Sequence, residues 1–335
     1  MKLEAISKFR DEWFGIAIIS IMIFHFCEDY VNAFHNGIVD KNILIFGYYG
    51  IISSIGVEIF MFLSGLGLFF SMSNNDSIKV FYKKRVKRLV IPYIPVGILI
   101  WGIWDFIINN RGITGFLEDF TFISFFTEGQ IGLWFIGVIL LFYLVFPIVY
   151  KVSTSKHGIV KILILIFLLY LGMYFFMSVN VTVFDRIEIG VLRFPCFMLG
   201  AICGYCIKKC KKIPRVIWAL IVLCGISFKI ADLIFHFPIF FTRIVASIYG
   251  ISIILIGSAI LEKIKLEKLY SGLRKVGGYS LELYMFHVGL RKIFKSFGLE
   301  TYNIAIYIFL ILLSIICSIA LHKGVQKIES MSNEN

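Results

Sequence analysis

His25 closes an apolar run, Phe14-Gly-Ile-Ala-Ile-Ile-Ser-Ile-Met-Ile-Phe-His25, and Glu28 and Asp29 follow one turn later. An imidazole takes up a proton near neutral pH, and a carboxylate at i+3 or i+4 on its helical face can hold the ring in one tautomer. That is the arrangement general-base catalysis uses. The alternative is a histidine bonded between helices as packing glue. Glu58 and His287 are further ionisable residues inside apolar stretches, where each needs a partner or a water-filled cavity. A second chemical group is Lys84, Arg85 and Arg88, within the basic block from Phe81 to Pro92. Arg85 and Arg88 share a helical face, and guanidinium pairs suit phosphate oxygens. The same block also fits a cytoplasmic loop that binds anionic lipid heads.

These residues must be positioned by membrane helices. Of the 335 residues, 59% are hydrophobic and only 16% charged, with a mean hydropathy of +0.89, which excludes a soluble globular domain. Ten apolar segments, over 13–30, 43–72, 89–109, 131–150, 160–179, 189–207, 215–234, 242–261, 277–293 and 302–322, approach or exceed the ~20 residues that cross a bilayer as a helix. Lipid-facing strands would alternate rather than run continuously apolar. The expected fold is all-α: a polytopic bundle of about ten transmembrane helices, forming a single integral membrane unit over 1–335.

Charge sets the expected orientation. The alternate segments beginning with 1–12 and ending with 323–335 hold 24 of the 33 Lys and Arg, against six on the opposite set. Both termini, including the tails 1–12 and 323–335, are therefore expected in the cytoplasm. The formal charge of +12 thus follows from topology and requires no nucleic acid. The first apolar stretch lacks a small-x-small cleavage site and reads as a retained anchor. Seven cysteines lie mostly inside the apolar segments; Cys203, Cys206 and Cys210 share a face but lack a fourth ligand, so no metal site is read. The longest exterior segment, 109–130, is rich in Phe and reads either as an amphipathic surface element or as a lid over a substrate.

Depth selects the candidates. His25 lies about 18 Å along its helix from Trp13, His287 about 15 Å from Gly277, and Glu58 near the middle of the second segment, so the three can meet in mid-membrane. Lys229 and Asp232, three apart, can neutralise each other, and Arg243 can snorkel outward from its helix start. Arg193 and Glu282 lie near helix ends, where either a structural or a chemical role is open.

Several blocks, in order, resemble the bacterial acyltransferase-3 family of multi-pass membrane O-acyltransferases. They are Asp11-Glu-Trp-Phe-Gly15-Ile-Ala-Ile with His25; Gly56-Val-Glu58 with Leu63-Ser64-Gly65; the basic Phe81 to Pro92 block; Leu133-Trp134-Phe135 with Phe142-Tyr143 and Pro147; Arg193-Phe-Pro-Cys-Phe-Met-Leu-Gly200; and Gly278-Tyr-Ser280-Leu-Glu-Leu-Tyr284-Met-Phe-His287. The chain departs from that pattern at Phe14, where the family carries an arginine eleven residues before the histidine.

The resemblance implies transfer of an acyl group, usually acetyl, from cytoplasmic acetyl-CoA or another acyl-CoA to a hydroxyl of a cell-surface saccharide or lipid-linked sugar, in the bacterial cytoplasmic membrane. Arg85, Arg88 and Lys84 would hold the CoA phosphates. Arg10 would stand in partly for the missing arginine, and Ser64 would belong to the donor site. His25 would act as base, or alternatively carry the acyl group itself, with Glu28, Asp29, Glu58 and His287 around it; His287, Trp134 or Tyr284 would position the acceptor or meet the developing oxyanion. The expected partners are acyl-CoA, the saccharide acceptor and membrane lipids. The alternative function classes are a transporter or flippase without chemistry and a catalytically silent acyl-CoA sensor.

Overall fold

The computed structural model of the chain describes residues 3–52, 55–74, 77–211, 213–264 and 266–334. Among these residues there are helices and no strands. Helix α1 spans Glu4–Lys8, α2 Arg10–His35, α3 Ile43–Ile52, α4 Ile55–Ser73 and α5 Ile78–Gly102, which runs on as a π-helical turn over Ile103–Ile108. Two short helices, α6 Gly112–Phe120 and α7 Ile123–Thr127, lead to α8 Trp134–Thr154, α9 Gly158–Val179, α10 Val181–Val191 and α11 Phe194–Lys208. The chain continues through α12 Arg215–Phe235, α13 Ile239–Lys263, α14 Glu267–Gly278, α15 Ser280–Ser296 and α16 Ile304–Glu334.

Nine stretches among the described residues are long and apolar enough to cross a membrane. The protein is an all-α polytopic membrane protein, as its composition requires. The remaining expected segment, 277–293, is divided at Tyr279: Gly277 and Gly278 end α14, and α15 has 17 residues. At 1.5 Å per residue α15 covers about 26 Å, short of the ~30 Å of hydrocarbon. It runs through the protein interior, where Leu283, Tyr284, Met285, Phe286 and His287 are all buried. Segment 189–207 is likewise not one helix. Pro195 lacks the N–H an uninterrupted helix needs, so α11 starts afresh at Phe194, with Arg193 at the break.

Helix α4 is central and largely buried, whereas α9 turns nearly all of its apolar surface outward. Around α4 the apolar residues are packed in the interior of the bundle, while the outward apolar faces of α9, α12 and α16 suit lipid. The tightest crossing is α4 on α11. A Cβ on Gly65 would run into the Phe197 carbonyl, and one on Gly200 into the Phe62 carbonyl, so glycine at both positions lets the two backbones touch. Helix α14 lies along the start of α2, with Arg274 donating to Glu12 Oε1 at 2.7 Å.

Segment 109–130 folds as a packed cap. Arg111 gathers Asp119 at 3.3 Å, Glu118 at 3.0 Å, Glu128 at 3.1 Å and Asp105 at 3.7 Å. Three of its aromatic residues pack inward: Phe120 and Phe122 lie against Tyr93, and Phe125 is buried, whereas Phe126 is exposed.

Candidate active site

Two cavities enter the bundle from opposite ends. Along α2 the first takes Arg10 and Phe14, the second Ser20 to Glu28; along α15 the first takes Ser280, Leu281 and Tyr284, the second Tyr284 to Ser296. Helix α4 runs the other way, with Phe60 to Ser71 in the first cavity and Gly56 and Val57 in the second. Arg10 and Glu28 lie about 27 Å apart along α2, close to a bilayer's hydrocarbon thickness.

The first cavity, about 360 Å³, joins four of the five residues expected at a donor site: Arg10, Ser64, Arg85 and Arg88. Helix α5 begins at Ile78, capped by the Ser77 hydroxyl on Val80 N–H, so Arg85 and Arg88 project from its second and third turns. Arg85 donates to Ser71 Oγ at 3.1 Å, and its Nε has no hydrogen-bond partner among the described residues. Lys84 is exposed and lies outside this wall, because one residue along a helix turns a side chain by about 100°. Phe14 lines the same cavity, its ring 5.5 Å from that of Phe60, and Arg10 reaches the wall one turn before it.

The second cavity, about 660 Å³, holds His25. The His25 ring stacks on that of His287, with centroids 5.3 Å apart and planes 14° from parallel. His287 is fully buried, and its Nε2 lies 3.1 Å from the Tyr307 hydroxyl. That hydroxyl also bonds the Met22 carbonyl, which can only accept. The single tyrosine proton is therefore committed to Met22, so His287 carries its proton on Nε2 and leaves Nδ1 as an acceptor. Nδ1 of His287 and Nδ1 of His25 are both buried without a hydrogen-bond partner among the described residues.

Three expected contacts are replaced by others. Glu28 and Asp29 do not hold the His25 ring. Arg291 donates to Glu28 Oε2 at 2.6 Å and to Asp29 Oδ2 at 2.8 Å, and Asp29 also receives Lys295 at 2.9 Å and Thr301 at 2.7 Å. A guanidinium offers two parallel charge-assisted bonds, which outcompete a single imidazole N–H. Glu58 does not join the histidines: its Oε1 pairs with Arg193 Nε at 3.0 Å and its Oε2 accepts from Ser247 at 3.2 Å. The helix break at Arg193 turns that guanidinium inward, over the Trp134 ring at 5.3 Å. Arg243 does not snorkel but makes a two-bond pair with Glu188, at 2.7 and 2.8 Å. Lys229 and Asp232 do pair, at 3.3 Å, and Glu282 accepts from His322 at 2.8 Å.

Tyr284 lines both cavities. It lies three residues before His287 on α15, its ring is edge-on to Phe135 at 5.2 Å, and its buried hydroxyl has no acceptor for its proton among the described residues. Sequence reasoning misses Tyr307, Arg291 and Lys292; Tyr307 sits in the last apolar segment without a neighbouring charge to mark it, and the other two are basic residues at a helix end.

Fold and site define a multi-pass helical membrane protein in which a basic cavity and a histidine cavity approach one another from opposite ends. The acyltransferase-3 family model, described as an acyltransferase domain, matches residues 15–323 of the 335, and the chain belongs to that family. It is a membrane acyltransferase. No curated protein matches it. No solved structure matches it either.

Proposed function

We propose that the protein transfers an acyl group, acetyl in the simplest case, from cytoplasmic acyl-CoA to a hydroxyl of an extracytoplasmic saccharide. The observation that carries this reading is the pair of opposed cavities sharing Tyr284. The positive-inside distribution puts the Arg85 and Arg88 end in the cytoplasm. There Arg10, Arg85 and Arg88 bind the CoA phosphates, and Ser64 lies further along the path of the pantetheine arm. The thioester comes to rest beside Tyr284 and the acceptor enters from the other end.

His25 takes the proton of the acceptor hydroxyl as its oxygen attacks the thioester carbon. The negative charge moves to the carbonyl oxygen and meets the Tyr284 hydroxyl, whose proton has no other acceptor among the described residues. The C–S bond then breaks, the CoA sulfur leaves with its electron pair, and the proton held by His25 neutralises it. His287, its tautomer set by Tyr307, buttresses the His25 ring. Glu58 serves by fixing Arg193, and Glu28 and Asp29 by fixing Arg291.

The test is His25→Ala and His25→Gln in a strain whose surface glycan carries the modification. Loss of general-base assistance lowers transfer by about 10²-fold or more at unchanged protein level. Undiminished acylation of the glycan overturns the assignment.

A further inference from the structure

The walls of the His25 cavity carry their charges in two layers. Arg193, Arg243, Arg291, Lys292 and Lys295 line the space, and Glu28 is the one carboxylate among the lining residues. The carboxylates that hold these cations, Glu58, Glu188 and Asp29, are buried behind them. Cations therefore face whatever enters.

Lys292 differs from the other four. Its Nζ lies 2.9 Å from Gln130 Oε1 and 3.4 Å from the centre of the Trp104 ring, with no carboxylate in direct contact among the described residues. Asp105 and Asp119, which act on it through space, are engaged by Arg111. Trp104 sits on the π-helical turn, lines the same cavity, and has a buried indole N–H with no acceptor among the described residues. A half-buried ammonium held by an amide oxygen and a ring face keeps hydrogen-bonding capacity for an anion. Along α15, Lys292 lies about 7.5 Å beyond His287, the residue that stacks on His25. That separation is comparable with one sugar residue.

We propose that the acceptor is an acidic saccharide whose carboxylate or phosphate is fixed by Lys292 at the cavity mouth while its hydroxyl lies at His25. The inference rests on the reading of this cavity as the acceptor site. Neutral saccharides offer Lys292 and the Trp104 N–H only hydroxyl oxygens, with no charge to match the ammonium, and so bind more weakly.

The full chain, reconstituted in phosphatidylcholine vesicles, is titrated by calorimetry with methyl glucoside, methyl glucuronide and glucose 1-phosphate, and transfer from radiolabelled acetyl-CoA to each is measured on the same preparation. At least one acidic sugar binds at least tenfold more tightly than methyl glucoside. Lys292→Gln removes that preference and Lys292→Arg keeps it. Preference for the glucuronide identifies a carboxylate sugar, and preference for glucose 1-phosphate a phosphorylated one. Equal binding of all three, binding of none, or a preference that survives Lys292→Gln overturns the proposal. Lys292-dependent binding of the acids without transfer to any sugar keeps the anion site at Lys292 but overturns the acceptor role together with the acyl-transfer mechanism. Transfer to methyl glucoside alone does the reverse.

Discussion

Replacing Tyr284 by phenylalanine deletes one oxygen, and the structure separates its two effects. The hydroxyl is buried beside Phe135, and its proton has no acceptor among the described residues. Tyr284→Phe therefore removes no bond that the hydroxyl donates, and thermal stability stays within about 1 kcal/mol of the parent. In the proposed reaction the same hydroxyl donates to the oxyanion. Losing one oxyanion donor costs about 2.7–4 kcal/mol of transition-state stabilisation, a fall of about 10²- to 10³-fold in kcat. The KM for acyl-CoA changes little, because the phosphate contacts lie at the far end of the basic cavity. Thermal unfolding in detergent supplies the first number. Initial rates of radiolabelled acetyl transfer into membrane glycan supply the second. A variant that is less stable and equally active would show that the hydroxyl is a packing group, and would refute the reasoning.

Glu58→Gln leaves the Arg193 guanidinium buried without its counter-ion, and lowers stability by about 3–5 kcal/mol, read as a fall in melting temperature. The double variant Arg85→Gln and Arg88→Gln raises the KM for acyl-CoA tenfold or more, whereas Lys84→Gln, outside the cavity wall, leaves it unchanged; equal effects of both would remove the donor-site assignment. Gly65→Val drives a side chain into the Phe197 carbonyl and separates α4 from α11, so the protein fails to accumulate in membranes, as a blot of the membrane fraction will report.

Much of the architecture is legible in the amino-acid sequence. The helices are read from hydropathy, because an apolar stretch of ~20 residues in a bilayer has only one way to satisfy its own backbone. The convergence of Arg10, Ser64, Arg85 and Arg88 on one cavity follows the family resemblance, and the meeting of His25 with His287 follows their depth along two helices. The partners of the buried carboxylates are not legible in this way. Glu28 and Asp29 lie on the His25 face, but Arg291, more than 260 residues away in sequence, takes both. The break at Arg193 that sends its guanidinium to Glu58 is hidden inside an apolar run that reads as one helix.

The sequence by itself determined a polytopic helical membrane protein and its family. These are properties of short segments: local hydropathy, helical pitch, and motifs carried by consecutive residues. Only the tertiary structure decided that Glu58 anchors an arginine, that Tyr307 fixes the His287 tautomer, and that Tyr284 separates two cavities. Those contacts depend on how distant helices rotate and slide against one another, and tight crossings such as α4 on α11 set that register.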